Sequence, residues 1–264
     1  MKFNSVIIID KPPGHTSHEI TTFVKKIVGA SRAGHAGTLD PEVSGVLPVA
    51  LGKATKLLQY IAGKDKTYVG IIKFKNPQTR EQIEKLFSEF TGEIIQTPPK
   101  LSAVRKKPRK RTIYHLKLLE VRGRLALFEA KVDAGTYIRT LCEDIGKKCG
   151  GARMEELRRI AVGRITEKES HRIYDVIDAM KTDPDAFRKM LRPPESLIDL
   201  PKVFIKESAL KSVLSGAQIM KPAIEKNEGK AGEKVAIYCK DKFIGVGIGE
   251  EKKVKLERIH FTVQ

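Results

Sequence analysis

The chain has 264 residues, 41% of them hydrophobic, which suffices for a core and fits one large domain or a large plus a small one. Its 50 Lys and Arg against 32 Asp and Glu leave a net charge of +18, which favours a polyanionic partner, nucleic acid first. Apolar runs such as SVIIID and GVLPVAL are too short to span a bilayer, the opening residues carry no signal-peptide pattern, and Cys142, Cys149 and Cys239 lack zinc-knuckle spacing, so a soluble, cytoplasmic protein with reduced, buried thiols is expected.

SVIIIDKP reads as a buried strand. TSHEITTFVKKIVG reads as a helix in which Thr16 and Glu19 form a capping box, Ile20, Phe23 and Ile27 an inward stripe, and Gly29 the stop. GHAGTLDP, residues 34–41, admits two readings. Asp40 before Pro41 is an ordinary turn or helix start, or else Gly34 and Gly37 shape the backbone so that His35 and Asp40 are aimed into a pocket. The apolar GVLPVALG follows, then a helix in ATKLLQYIAG with Leu57, Leu58 and Ile61 on one face, then a strand in KTYVGIIKFK.

TREQIEKLFSEFTG carries Ile83, Leu86, Phe87 and Phe90 at helical spacing, and TIYHLKLLEV with ALFEAKVDA reads as a hairpin about VRGR. Residues 100–124 hold ten basic residues against Glu120 alone, half of the net charge in a tenth of the chain. Such clustering is the footprint of phosphate binding. With Pro108 breaking any helix, SAVRKKPRKR is expected on a mobile loop whose Arg105, Lys106, Lys107, Arg109, Lys110 and Arg111 lie along a nucleic-acid backbone.

TYIRTLCEDIGKKCG is expected to be a helix with Ile138, Leu141, Cys142 and Ile145 turned inward, RRIAVGRIT a strand, and DVIDAMKTDPDAFRKML a helix broken at Pro184. Pro193-Pro194 and the change of character after DLP place a boundary near residue 200, followed by one short helix, ESALKSVLSG, and several short strands. Helices alternating with hairpins give an α+β protein on a largely antiparallel mixed sheet, residues 1–199, and a small β-rich domain, residues 200–264.

Five stretches stand together in order: IDKPPGHTSHE, GHAGTLDPEVSGVLPVALGKATK, KTYVG, DAGTYIRTLCEDIG and GARMEELRRIAVG. They closely resemble the TruB and dyskerin family of RNA pseudouridine synthases, and the remainder resembles a PUA RNA-binding domain. TPPKLSAVRKK, FTGEI and GTYIRTLCEDIG are most similar to the archaeal and eukaryotic branch, whose members isomerise uridines chosen by box H/ACA guide RNAs. The resemblance implies a pseudouridine synthase catalytic domain at 1–199 and a PUA domain at 200–264.

It also implies roles. Asp40 matches the catalytic aspartate, Arg139 its partner, and Tyr68 the residue that stacks on the target base and takes the proton from C5. Tyr137 and Leu157 match residues lining the uridine pocket, His35 the histidine supporting the flipped nucleotide, and Lys11 with Pro12 the motif that braces the loop on the substrate side. On the residues alone, Arg139 is a helix-surface arginine with Asp144 as a local partner, Tyr68 a strand aromatic, and Tyr137 and Leu157 core.

Breaking a C1′–N1 glycosidic bond and rejoining it through C5 calls for a carboxylate beside the sugar, as nucleophile or base. No metal or redox cofactor is implied. The implied partners are guide RNA, rRNA and tRNA together with a small zinc-ribbon-like protein, a Gly/Arg-rich-type protein and a kink-turn-binding protein, with no membrane. Members of the branch usually carry a leading segment packed near the PUA portion, whereas here the first motif comes almost at once, so that brace is not expected. Ala36 stands where the branch commonly has Ser or Thr. Two alternatives remain: a stand-alone synthase for the tRNA T-loop uridine, and a non-catalytic RNA-binding or assembly protein with the same fold.

Overall fold

A computed structural model describes residues 3–98 and 105–259. Its first strand, β1 (Val6–Lys11), is the buried run expected, and β3 (Ser44–Leu51) pairs with it antiparallel along its whole length. Both strands lie inside a sheet covered on two faces, which is why they read as unbroken apolar runs rather than alternating ones. Between them come α1 (Ser17–Ile27) and the short β2 (Ala33–His35), which pairs with β3.

Thr16 and Glu19 form the expected capping box on α1. The inward face is different. Ser17, Ile20, Thr21 and Val24 are buried, whereas Phe23 is 43% exposed and Ile27 half-buried. The helix is rotated because Ser17 is drawn inward to the backbone of Leu39, which carries the i, i+3, i+4, i+7 set with it.

ATKLLQYIAG divides into a 3-10 turn, Gly52–Leu57, and α2 (Leu58–Ala62). Then follow β4 (Lys66–Phe74), α3 (Arg80–Glu89), β5 (Gly92–Gln96), β6 (Arg109–Arg122), β7 (Leu125–Val132), α4 (Ile138–Lys148), β8 (Ala152–Val162) and β9 (Ile165–Thr166). The strand in RRIAVGRIT therefore starts earlier, at Ala152, since all of β8 pairs with β4 from Phe74 down to Lys66. The polar residues of ARMEEL hid it. The basic stretch is also corrected: Arg109, Lys110 and Arg111 are not on a loop but open β6, paired with Gln96, Ile95 and Ile94 of β5. Arg105, Lys106 and Lys107 are exposed and outside any strand, and Lys100 to Val104 lie outside the described residues.

Next come α5 (Ile173–Thr182), α6 (Pro184–Met190) and β10 (Leu191–Arg192), with Pro184 opening the second helix of the pair rather than merely breaking the first. The large sheet runs β10-β1-β3-β8-β4-β7-β6-β5, mostly antiparallel, with β3 and β8 joined in parallel at two residue pairs. Gly45 makes that junction possible: at φ +108° a Cβ there would lie 2.1 Å from the Arg159 carbonyl oxygen. On one flank α3 and α4 close a core of Ile72, Phe74, Ile83, Phe87, Phe128, Ile138, Leu141 and Ile145.

A second sheet starts at Lys202. It holds β11 (Lys202–Ile205), β12 (Ile219–Met220), β13 (Ile224–Asn227), β14 (Lys234–Cys239), β15 (Lys242–Gly249) and β16 (Lys253–Ile259) in the order β12-β16-β15-β14-β11-β13, with α7 (Leu210–Leu214) beside it. The molecule is thus α+β with a large mixed sheet and a β-rich C-terminal portion. The two sheets meet through Leu57 and Tyr60, which pack on Ala236, Phe243 and Val246, and the Tyr60 hydroxyl donates to Glu257 Oε2 at 2.9 Å. Cys142 and Cys239 are buried and Cys149 half-buried, all three as free thiols.

Candidate active site

The turn bearing Asp40 is fixed from three sides. Gly37 takes φ +97°, the left-handed geometry that favours glycine. From α1, the Ser17 hydroxyl accepts the Leu39 N–H at 2.8 Å and donates to the Leu39 carbonyl at 2.9 Å. From the end of β1, the buried Lys11 ammonium donates to the carbonyls of Pro12 at 2.8 Å and Pro41 at 3.1 Å. From β8, Arg159 donates to the Gly37 carbonyl at 3.1 Å. Three anchors within five residues hold the backbone around Asp40, whose carboxylate is half-exposed.

Arg139, in the first turn of α4, donates to the Asp40 carboxylate. Its alternative partner is taken: Asp144 receives Lys147 at 2.5 Å. The start of α4 is itself held by Gln96 at the end of β5, whose amide donates to the Tyr137 carbonyl at 3.1 Å and whose oxygen accepts the Tyr137 N–H at 3.0 Å. That exchange fixes Tyr137 and, two residues on, the origin of the Arg139 side chain.

Tyr68 lies on β4 with 6% of its surface exposed, opposite Arg159 on β8 and Ala130 on β7. Two residues along the same face, Gly70 faces Leu157, and a Cβ there would press on the Leu157 side chain at 2.8 Å. The glycine makes room for a half-buried Leu157 beside Tyr68. His35 ends β2; its Nδ1 is buried with no hydrogen-bond partner among the described residues. Burial pushes its pKa below the ordinary histidine value, and the Arg159 charge adds to that, so the imidazole is neutral near pH 7.

Five supporting residues escaped the sequence reading: Ser17, Lys66, Gln96, Arg158 and Arg159. Lys66 is buried and donates to the carbonyls of Ala62 at 2.8 Å and Lys64 at 2.5 Å, and desolvation pulls its pKa down to about 8. A signal for one of them was present. Side chains alternate across a strand, so the neighbours Arg158 and Arg159 in an interior strand could not both face water. Arg158 grips Asp10 at 2.9 and 3.0 Å and Glu167 at 2.8 Å, while Arg159 is fully buried. No group of three or more His, Cys, Asp or Glu that could hold a metal ion occurs among the described residues.

The family model for the N-terminal domain of TruB family pseudouridylate synthases matches residues 25–138, and that for the tRNA pseudouridylate synthase B C-terminal domain matches 139–199. A probable tRNA pseudouridine synthase B of Pyrobaculum aerophilum is 43% identical over 96% of this chain and 80% of its own. The chain belongs to the TruB family of pseudouridine synthases. A similarly named protein of Pyrococcus furiosus is 44% identical over 92% of this chain and 74% of its own. Among solved structures, a Cbf5-Nop10-Gar1 complex contains a chain that superposes with a TM-score of 0.90 at 40% identity, covering 98% of this chain and 85% of that one. An H/ACA RNP bound to a substrate RNA containing 2′-deoxyuridine gives 0.89 at 39% identity, covering 98% of this chain and 86% of that one.

Membership in the family makes the protein an RNA pseudouridine synthase, an isomerase, and sets aside the binding-only alternative. Among the described residues no helix is long and apolar enough to cross a membrane.

Proposed function

We propose that the protein is the catalytic subunit of a box H/ACA ribonucleoprotein, isomerising guide-selected uridines of rRNA and acting directly on the tRNA T-loop uridine. The observation that carries the site is the pairing of half-exposed Asp40 with Arg139, on a turn that three separate elements hold in place. A carboxylate entering a closed nucleotide pocket needs a cation to stay ionised, and Arg139 supplies it through one of the two carboxylate oxygens, Oδ2. Asp40 acts at the sugar carbons as nucleophile or base while the C1′–N1 bond breaks. Tyr68 stacks on the released base and takes the C5 proton once C5 has joined C1′.

His35, Tyr137 and Leu157 line the pocket that receives the flipped uridine, whose unstacking costs a few kcal/mol that the stacking on Tyr68 offsets. Lys11, being fully buried, serves the substrate only through the loop it braces. Arg105, Lys106 and Lys107, together with the strand-borne Arg109, Lys110 and Arg111, bind phosphates and add affinity without sequence information. Residues 200–264 form a PUA domain that holds RNA, with Phe204 and Tyr238 stacked and Lys202 and Lys226 over their rings as its aromatic and cationic surface. The partners are guide RNA and the proteins that accompany Cbf5 in its solved complexes, and the enzyme works in the cytoplasm.

The second reading, a stand-alone tRNA synthase, draws on the naming of the curated relatives as tRNA pseudouridine synthase B. Tritium release from RNA labelled at uridine C5 separates the two. Release from tRNA by the protein alone, together with release from rRNA fragments only after guide RNA and partner proteins are added, is the expected pattern. Release from tRNA that no guide complex extends to rRNA would leave the stand-alone reading.

A further inference from the structure

The two arginines that β8 sends to opposite faces have unlike company. Arg158 is matched by Asp10 and Glu167, two carboxylates. Arg159 is fully buried and its hydrogen-bond partners are neutral oxygens: Nε donates to the Val46 carbonyl at 2.8 Å and Nη2 to the Gly37 carbonyl at 3.1 Å, while the buried Tyr68 is its directly opposite partner on β4. Burial pushes the Arg159 pKa down, and the Tyr68 oxygen is what pushes it back up. Lys66 stands beside it, so that a Cβ on Gly37 would touch Lys66 Cε at 3.5 Å and Arg159 Nη1 at 3.6 Å. Two buried cations thus flank the turn from behind.

A buried guanidinium without a carboxylate is left with its desolvation largely uncompensated, and such a charge is placed to best effect where negative charge arises during the reaction. Asp40 already has Arg139. The acidic group paired with Arg159 across the strands is the phenol of Tyr68. We propose that Arg159 is the positioning residue of the C5 proton transfer: its guanidinium anchors the Tyr68 oxygen against the target ring and supplies the counter-charge while that oxygen is negative. This rests on the reading of Tyr68 as the group that takes the C5 proton.

In that step the C5–H bond breaks and the Tyr68 O–H bond forms. The C–H electron pair closes the C5–C6 double bond, the C6–N1 pair moves onto N1, and N1 takes a proton from water. Tyr68 afterwards returns its proton to solvent. Arg159 gives up no proton. Because the same guanidinium holds the carbonyl of Gly37, in the turn that ends at Asp40, one rigid group sets both the sugar-side carboxylate and the base-side oxygen.

The test is single-turnover rate on RNA carrying uridine, 5-deuterouridine or 5-fluorouridine at the target position, with Arg159→Lys and Tyr68→Phe. Fluorine at C5 permits glycosidic transfer but leaves no proton to remove. Arg159→Lys should slow uridine by about 10²-fold, the low end of what a general base contributes, with a deuterium isotope effect above that of the wild type. It should transfer 5-fluorouridine within a few-fold of the wild-type rate. Arg159→Gln, which retains a hydrogen-bonding head without the charge, replaces it if melting or RNA binding shows the Lys variant misfolded. Equal losses on uridine and 5-fluorouridine in a folded variant would reduce Arg159 to a structural residue and overturn the proposal. A raised isotope effect in Tyr68→Phe with a wild-type one in Arg159→Lys would sink Arg159 alone, whereas a wild-type isotope effect in Tyr68→Phe would remove the reading of Tyr68 itself.

Discussion

The two sheets are built to opposite rules. Every buried polar or charged side chain among the described residues, Lys11, Ser17, Thr21, Lys66, Gln96, Thr136 and Arg159, belongs to the large sheet, its helices or, for Thr136, the connection from β7 to α4. The C-terminal sheet buries Val203, Ile205, Val235, Ile237, Ile244 and Val254 and keeps its lysines outside. An apolar core is the cheaper way to hold a fold together, since buried cations repay their desolvation only with good partners. The large sheet accepts that penalty around one turn, the one that carries Asp40, and under the proposed function the contrast separates the part that does chemistry from the part that binds.

The contrast breaks most sharply at Gly45. Alanine there would drive its Cβ into the Arg159 backbone at a positive φ, so Gly45→Ala should cost about 4 kcal/mol or more and separate β3 from β8. A large drop in melting temperature with lost turnover is the expected result. Alanine at Gly216, which also has a positive φ but nothing within 4 Å, should cost about 1 kcal/mol and spare turnover.

Lys66 gives the contrast a pH signature. Its folded pKa of about 8 lies below the ordinary 10.5, so between those values the unfolded chain holds a proton that the folded one has released. Stability from this group therefore rises with pH across that window, by up to about 3 kcal/mol, and is flat below it. Melting wild type and Lys66→Met from pH 7 to 10 should show the difference moving in favour of the wild type above pH 8. A parallel pair of curves would mean that Lys66 is not titrating from a buried site.

The smallest effect on stability, and a clear one on binding, belongs to exposed charge. Neutralising Arg105, Lys106 and Lys107 should leave the melting temperature unchanged while lowering the salt dependence of RNA binding by up to about three units of slope. An unchanged slope would take those residues off the RNA surface.

How far the sequence shows all this follows the same division. Apolar periodicity marks β1, α3 and α4 well, because their buried faces are apolar. It misplaces the face of α1, where Ser17 rather than a hydrophobe is pulled inward, and the start of β8, whose solvent face reads as coil. The site is harder still. Asp40 and Arg139 lie 99 positions apart, and nothing local distinguishes Arg139 from a surface residue, so only the family resemblance joins them. Arg159 and Lys66 are concealed by the rule that charge seeks water. The alternation of a strand was the one clue that the rule would fail there.

The proposed function stands or falls on Asp40 as the group that acts at the sugar, with Tyr68 acting on the base and the turn's anchors holding Asp40 in place. Tritium release from C5-labelled RNA and RNA affinity should be measured side by side for wild type and Asp40→Asn. The account predicts a fall in turnover of at least about 10⁴-fold, the scale of removing a group that acts on the reacting atoms, with affinity unchanged within a few-fold. Turnover within ten-fold of the wild type, at about the same affinity, would contradict it.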